Sequence, residues 1–315
     1  MEKFIPKRNL KAIKAKAKVL VILGPTASGK TSLGAALAAE FNGEIVSADS
    51  RQVYKGLDVG TGKDLSEYKV WGKKIIYHLI DVVGPKRQFD VARYQSAALK
   101  AIAGILERGR LPIIVGGSGL YLQALVDNYR LAAFKAGAKR AHWEKLPTEE
   151  LLEKIAALKP GFAKRLNNSE RHNARRLARY LEIIRAGGSR AGKKERLYDF
   201  LLLGLTWPDE VLRRRIAERL QARLEKEDLI GEVKALHKAS VSWPRLAAFG
   251  LEYKFVSRYL KGELGYEEMA ERLATAIYRF AKRQKTWFKR WEKQGTEIKW
   301  IKDKGEAEKL VGKWL

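Results

Sequence analysis

Gly24-Pro25-Thr26-Ala27-Ser28-Gly29-Lys30-Thr31 follows the apolar run Val19 to Leu23 and opens onto the apolar-periodic segment Thr31 to Phe41. The order predicted is strand, loop, helix. The spacing G-x-x-x-x-G-K-T has a mechanical reason. Two glycines let successive backbone N–H groups turn inward around a phosphate, and Lys30 adds a point charge. A helix starting near Lys30 adds unpaired N–H groups and the positive end of its dipole, and the Thr31 hydroxyl is placed to ligate Mg²⁺ on the same phosphates. Phosphate binding is therefore expected at Gly24, Thr26, Ala27, Ser28, Gly29, Lys30 and Thr31. The loop alone does not say which phosphate compound it holds.

The 315 residues, 46% hydrophobic, are enough for one large core or two modest ones. There is no cysteine, which excludes disulfides and thiolate zinc sites and fits a reducing cytoplasm. No run approaches the length of a bilayer span, and the Lys-rich start from Met1 to Lys18 has no apolar signal core, so it reads as a basic tail. The net charge of +27, from 63 Lys and Arg against 36 Asp and Glu, points to an anionic partner, and nucleic acid is the first suspect.

Outward from the loop, Gly43 to Ser47 is a short β-like run leading to Asp49, and Leu111 to Val115 is a wholly apolar strand ending at Gly116-Gly117-Ser118-Gly119. Lys74 to Val82 reads as a strand between them and Ala92 to Arg108 as an amphipathic helix. The β-α-β-α-β order predicts a doubly wound parallel α/β sheet with ligands at its carboxyl edge, which makes Asp49 a candidate base or metal ligand and puts Ser118 on the same edge. From 129 to 198 the pattern turns helical and basic, with Arg175, Arg176 and Arg179 on neighbouring turns and Arg190 and Lys193 further on. This segment is read as an inserted helical subdomain between a first core part, 1–128, and a second, 199–315. Phe200 to Thr206 returns to strand, Pro208 opens a helix carrying Arg215, and Ile298 to Ile301 is a last strand. Ile277, Phe280, Ala281, Gln284, Trp287, Phe288 and Trp291 form a helical stripe read as core, flanked by Arg279, Lys282 and Arg283.

Several of these stretches together resemble one family, the bacterial tRNA dimethylallyltransferases, which prenylate N6 of the adenosine just 3′ of the anticodon. The resemblance rests on the phosphate loop and on Ser47-Ala48-Asp49-Ser50-Arg51-Gln52-Val53-Tyr54-Lys55-Gly56 running into Asp58-Val59-Gly60-Thr61. It continues through His78-Leu79-Ile80-Asp81 and Val115-Gly116-Gly117-Ser118-Gly119-Leu120-Tyr121 to Gly250-Leu251-Glu252-Tyr253 and Ala281-Lys282-Arg283-Gln284-x-Thr286-Trp287-Phe288. It implies a P-loop NTPase-like fold whose loop holds the diphosphate of dimethylallyl diphosphate, with Mg²⁺ as cofactor and Asp49 as the base at the adenine amine. Position 118, Thr in the family, is Ser here; Gly-Thr-Ala-Lys-Pro becomes Gly60-Thr61-Gly62-Lys63-Asp64.

On this reading Asp49, Ser118, Lys30 and Arg215 are catalytic. Contacts with a tRNA anticodon stem-loop are expected from Ser50, Gln52, Lys63, Arg175, Arg176, Arg179, Arg279, Lys282, Arg283 and Gln284. A monomer is expected, with neither membrane nor DNA as partner. The rival reading is a P-loop kinase or ATPase, with Asp49 the base at a substrate hydroxyl and Ile80-Asp81 a metal-binding strand end. The basic insertion does not suit it.

Overall fold

Val19 to Leu23 of β1 (Lys18–Leu23) are all fully buried, the signature of a central strand covered on both faces. The structure, a computed structural model, describes residues 16–131, 138–187 and 194–315; residues 1–15 of the basic tail, and Arg190 and Lys193, lie outside them. After β1 come α1 (Lys30–Glu40), β2 (Gly43–Ser47), a 3₁₀ turn at Leu65–Tyr68, β3 (Lys69–Val70), β4 (Lys73–Lys74), β5 (Tyr77–His78), α2 (Val91–Glu107), β6 (Leu111–Gly116) and α3 (Gly119–Val126). The sheet resumes at β7 (Asp199–Leu205) and, after a run of helices, ends at β8 (Lys299–Ile301), with α14 (Lys304–Trp314) last. Six parallel strands run in the order β5-β2-β6-β1-β7-β8. Helices cover both faces of this doubly wound sheet, one apolar cluster holding Tyr94, Ile102, Leu122 and Trp291 and another Leu33, Leu37, Ala307 and Val311.

The predicted strand Lys74 to Val82 is broken. Lys73 and Lys74 are exposed and pair antiparallel with β3, and Tyr77–His78 pairs with β2. Leu79 and Asp81 then take φ of 63° and 56°, left-handed values that end the extended chain. At the amino end of β2, Glu44 is fully buried and receives His78, both ends of the Arg108 guanidinium, and Arg110. The hydrogen bonds from Arg108, with those from His78, hold its carboxyl down at about 2 against the opposing effect of burial.

The helices after β7 are α9 (Asp209–Glu225), α10 (Leu229–Lys238), α11 (Trp243–Phe249), α12 (Leu251–Leu260) and α13 (Tyr266–Lys293). In α13 the buried positions Ile277, Ala281, Gln284, Phe288 and Trp291 repeat at intervals of four and three, a single spine. Phe280, read as core from sequence, flanks that spine and is 39% exposed.

The chain divides into two compact units, Met1–Val126 with Arg196–Leu315, and Asp127–Glu195. The second holds α4 (Ala138–Trp143), α5 (Thr148–Leu158), α6 (Pro160–Lys164), α7 (Asn168–Arg171) and α8 (Ala174–Arg185), packed around Leu151, Ile155, Leu177 and Leu181. Asn167 and Glu170 close a reciprocal capping box on α7, and the Tyr180 hydroxyl donates to Glu170 at 2.7 Å. No helix among the described residues is long and apolar enough to cross a membrane.

Candidate active site

The carboxyl ends of β2, β6 and β1 lie side by side in the sheet, and each carries a candidate residue just beyond it. Asp49 follows β2. Its Oδ1 accepts from the N–H groups of Arg51, at 2.7 Å, and Gln52, at 3.4 Å, which fixes the carboxylate in one orientation. Ser118 follows β6. Its Oγ accepts from the Ser50 N–H at 3.2 Å, leaving the hydroxyl proton free to donate elsewhere. Gly116 makes this pairing possible: a Cβ there would lie 2.3 Å from the Ala48 carbonyl oxygen, so only glycine lets the two strand ends close up. Asp49, Ser50, Gln52, Lys30 and Ser118 all line one cavity of about 380 Å³.

The phosphate loop follows β1. Ala27 and Gly29 have φ of 60° and 89°, the left-handed turns that point successive amides to one side. The N–H groups of Ala27, Gly29, Lys30 and Thr31 have no acceptor among the described residues, which suits an anion at the start of α1. Lys30 Nζ donates back to the Pro25 carbonyl at 3.1 Å. Burial, reinforced by the Arg219 cation, lowers the Lys30 ammonium to about 8, with Asp49 acting in the opposite direction. A bound polyphosphate would raise it again.

Two side chains brace the loop. Arg215 Nε donates to the Ala27 carbonyl at 2.8 Å, and its guanidinium lies over the Trp207 ring, whose indole N–H donates to Ser28 O. Gln284, buried on α13, accepts from the Thr26 N–H and donates to the Gly117 carbonyl, both at 2.9 Å. It ties the loop to the turn carrying Ser118. Gln284 was expected at RNA; both ends of its amide are committed to the protein, and one loop amide expected at phosphate, that of Thr26, is taken.

Lys63 is the second correction. Also expected at RNA, it is buried, and its ammonium donates to Tyr54 O at 2.6 Å, Asp58 at 2.7 Å and Asp81 at 2.5 Å. It is the counter-ion inside the loop that follows Asp49. Ser50, Gln52 and Arg283 line the cavity; Arg279 is exposed on α13 outside the cavity lining, and Lys282 leans toward Asp209 at 4.0 Å. In the second unit Arg175 and Arg176 are exposed, whereas Arg179 is half-buried and paired with Glu182.

Sequence reasoning missed Arg219, one helical turn beyond Arg215 on α9. It lines the cavity, is bonded to Asp64, and sits among the groups around Lys30. The i, i+4 spacing from Arg215 was the available signal. Arg223, a further turn along, is buried beside Glu252 at 3.6 Å with its Nε unpaired, and both line the cavity. Phe280 lines it too, with the Arg283 guanidinium 5.8 Å from its ring.

A second hollow of about 390 Å³ shares Lys30, Thr31 and Arg219 with the first and is also lined by Asp64, Glu67 and Arg215. Burial, and then the Asp64 charge, raise the Glu67 carboxyl, which shares a hydrogen bond with the Thr31 hydroxyl. Among the described residues no three His, Asp or Glu side chains gather to hold a metal ion.

Residues 52–291 match the model of the IPP transferase family. The chain is 46% identical over 287 residues to tRNA dimethylallyltransferase 1 of Syntrophus aciditrophicus, covering 90% of this chain and 93% of that protein. It is 45% identical over 289 residues to tRNA dimethylallyltransferase 1 of Geotalea uraniireducens, with 91% and 93% covered. Among solved structures it is similar to the full-length tRNA isopentenylpyrophosphate transferase of Bacillus halodurans, at TM-score 0.67 and 32% identity over 94% of this chain and 96% of that one. It is also similar to a eukaryotic dimethylallyltransferase acting on tRNA, at TM-score 0.71 and 27% identity over 86% and 69%.

Proposed function

The chain belongs to the IPP transferase family of tRNA dimethylallyltransferases, and from that premise we propose that it transfers the dimethylallyl group of dimethylallyl diphosphate to N6 of the adenosine just 3′ of the tRNA anticodon. The observation that carries the reading is one cavity with a phosphate loop on one wall and a fixed carboxylate, Asp49, beside the Ser118 hydroxyl on another.

In the reaction the allylic C1–O bond breaks, its electron pair leaves with the diphosphate, and the N6–C1 bond forms. The chain's part is largely electrostatic: the free loop amides, Lys30 and Arg219 meet the charge that grows on the leaving oxygen. Arg215 acts by holding the Ala27 carbonyl and so the loop's shape. Asp49 takes the proton that N6 loses, and Ser118 steadies the Ser50 amide beside it. The donor set fits Mg²⁺, which keeps several waters and needs only one or two protein oxygens besides substrate phosphate; Thr31, with Glu67 beside it, would hold the ion. When bound, it would neutralise charge on the diphosphate.

The target adenine is stacked in its loop and has to swing out, at a cost of a few kcal/mol that contacts to the RNA backbone offset. Exposed Arg175, Arg176 and Arg279 suit that role. The test is a competition at the phosphate loop: dimethylallyl diphosphate should bind in the presence of Mg²⁺ and displace a labelled analogue. Tight ATP binding with hydrolysis, and indifference to the prenyl diphosphate, would instead mark a kinase or ATPase.

A further inference from the structure

The segment from Asp58 to Gly62 brings Gly60, Thr61 and Gly62 to the cavity wall without belonging to any helix or strand. What fixes it comes from α10. Glu232, on the first turn of that helix, accepts from three successive backbone amides: Asp58 at 2.7 Å, Val59 at 2.7 Å and Gly60 at 3.0 Å. The Tyr253 hydroxyl donates to the same carboxylate at 2.7 Å. Consecutive N–H groups converging on an anion form a backbone nest, and here the anion is the protein's own side chain. Gly60 lies flat against the Tyr253 ring, where a Cβ would come within 2.6 Å of the aromatic carbons. The far end of the segment returns to the site, since Gln52 Nε2 donates to the Gly62 carbonyl at 3.0 Å, and Gln52 stands next to Asp49.

We propose that Glu232 is a positioning residue for the nucleic-acid substrate. By clamping residues 58–60 it sets the wall formed by Gly60 to Gly62 and, through the Gly62 carbonyl, the orientation of Gln52 on the acceptor side of the cavity. The phosphate loop has its own braces in Gln284 and Arg215, and Arg219 links the two sides by a long contact of 3.5 Å to the Gly62 carbonyl. Loosening the clamp therefore weakens seating of RNA and disturbs the diphosphate little. The inference rests on the prenyl-transfer reading above.

Steady-state kinetics with an anticodon stem-loop RNA and dimethylallyl diphosphate test it. Glu232→Gln puts an NH₂ against donor N–H groups and should raise KM for RNA about tenfold or more, as for loss of charge-assisted hydrogen bonds. KM for the diphosphate should stay within about twofold. Gly60→Ala, which drives a methyl group into the Tyr253 ring, should give the same split. Tyr253→Phe removes a single donor, should shift RNA KM less in the same direction, and serves if Glu232→Gln does not fold. Wild-type turnover is measured first: its absence sinks the parent reading. With wild-type turnover present, an unmoved RNA KM in the variants, or both KM values rising together, overturns the assignment of Glu232 alone.

Discussion

Replacing Gln284 separates two accounts of the long C-terminal helix. Its amide bridges the Thr26 N–H and the Gly117 carbonyl inside the protein. Gln284→Ala leaves one donor and one acceptor buried without partners. Each such group costs about 1–3 kcal/mol, so the pair costs about 2–6 kcal/mol and lowers the thermal midpoint by several degrees. Gln284→Glu is nearly isosteric: one oxygen still accepts from Thr26, but the other faces the Gly117 carbonyl and brings a negative charge beside the phosphate loop. Calorimetric titration with dimethylallyl diphosphate should show affinity down at least about tenfold in both variants, more in the glutamate. Binding of a fluorescent anticodon stem-loop, followed by anisotropy without the diphosphate, should stay within about threefold of wild type. Weakened RNA binding with unchanged diphosphate affinity and melting would make Gln284 an RNA contact and refute the reasoning.

Asp49→Asn should cut kcat about a hundredfold or more, with RNA affinity nearly unchanged, as for removal of a positioned base; normal turnover would assign Asp49 to the structure of its turn. The Lys30 ammonium, lowered by burial to about 8, is charged at pH 7 and mostly neutral at pH 9. Diphosphate affinity should therefore fall as pH rises through 8, by up to about tenfold per pH unit, and a flat profile from pH 7 to 9 would contradict the role given to Lys30. Replacing Arg175, Arg176 and Arg179 by Ala should flatten the salt dependence of stem-loop binding by at most about two log units per log unit of salt and not three, because Arg179 is already paired with Glu182 and Arg175 leans toward Glu144 at 3.7 Å. Wild-type slope in the triple mutant would make the cluster a solvated helix face.

The strand ends were legible because buried parallel strands are continuous apolar runs and the residues just past them announce themselves: a Gly-Lys-Thr, an Asp and a Gly-Gly-Ser turn. Side chains that reach the site from distant helices left no local mark. Arg219 and Arg223 belong to an Arg-rich helix in which only the i, i+4 spacing from Arg215 points to the turn that faces the cavity. Glu232 looks like any acid in a first helical turn, although its partners lie more than 170 residues earlier. Lys63 and Gln284 were misread for the same reason. A lysine in a Gly-rich loop and a glutamine among cations look solvated in one dimension, and only the fold reveals the carbonyls and carboxylates that enclose them. The strand read from Lys74 to Val82 failed because its alternation hid the left-handed residues Leu79 and Asp81, types that carry no such signal.

The most direct test of the central claim is to incubate the protein with dimethylallyl diphosphate, Mg²⁺ and unmodified tRNA, digest the RNA, and weigh the nucleosides. The account predicts an adenosine heavier by one dimethylallyl group in place of hydrogen, located just 3′ of the anticodon and absent with Asp49→Asn. Unmodified tRNA in the wild-type reaction, with the diphosphate bound but intact, would contradict it.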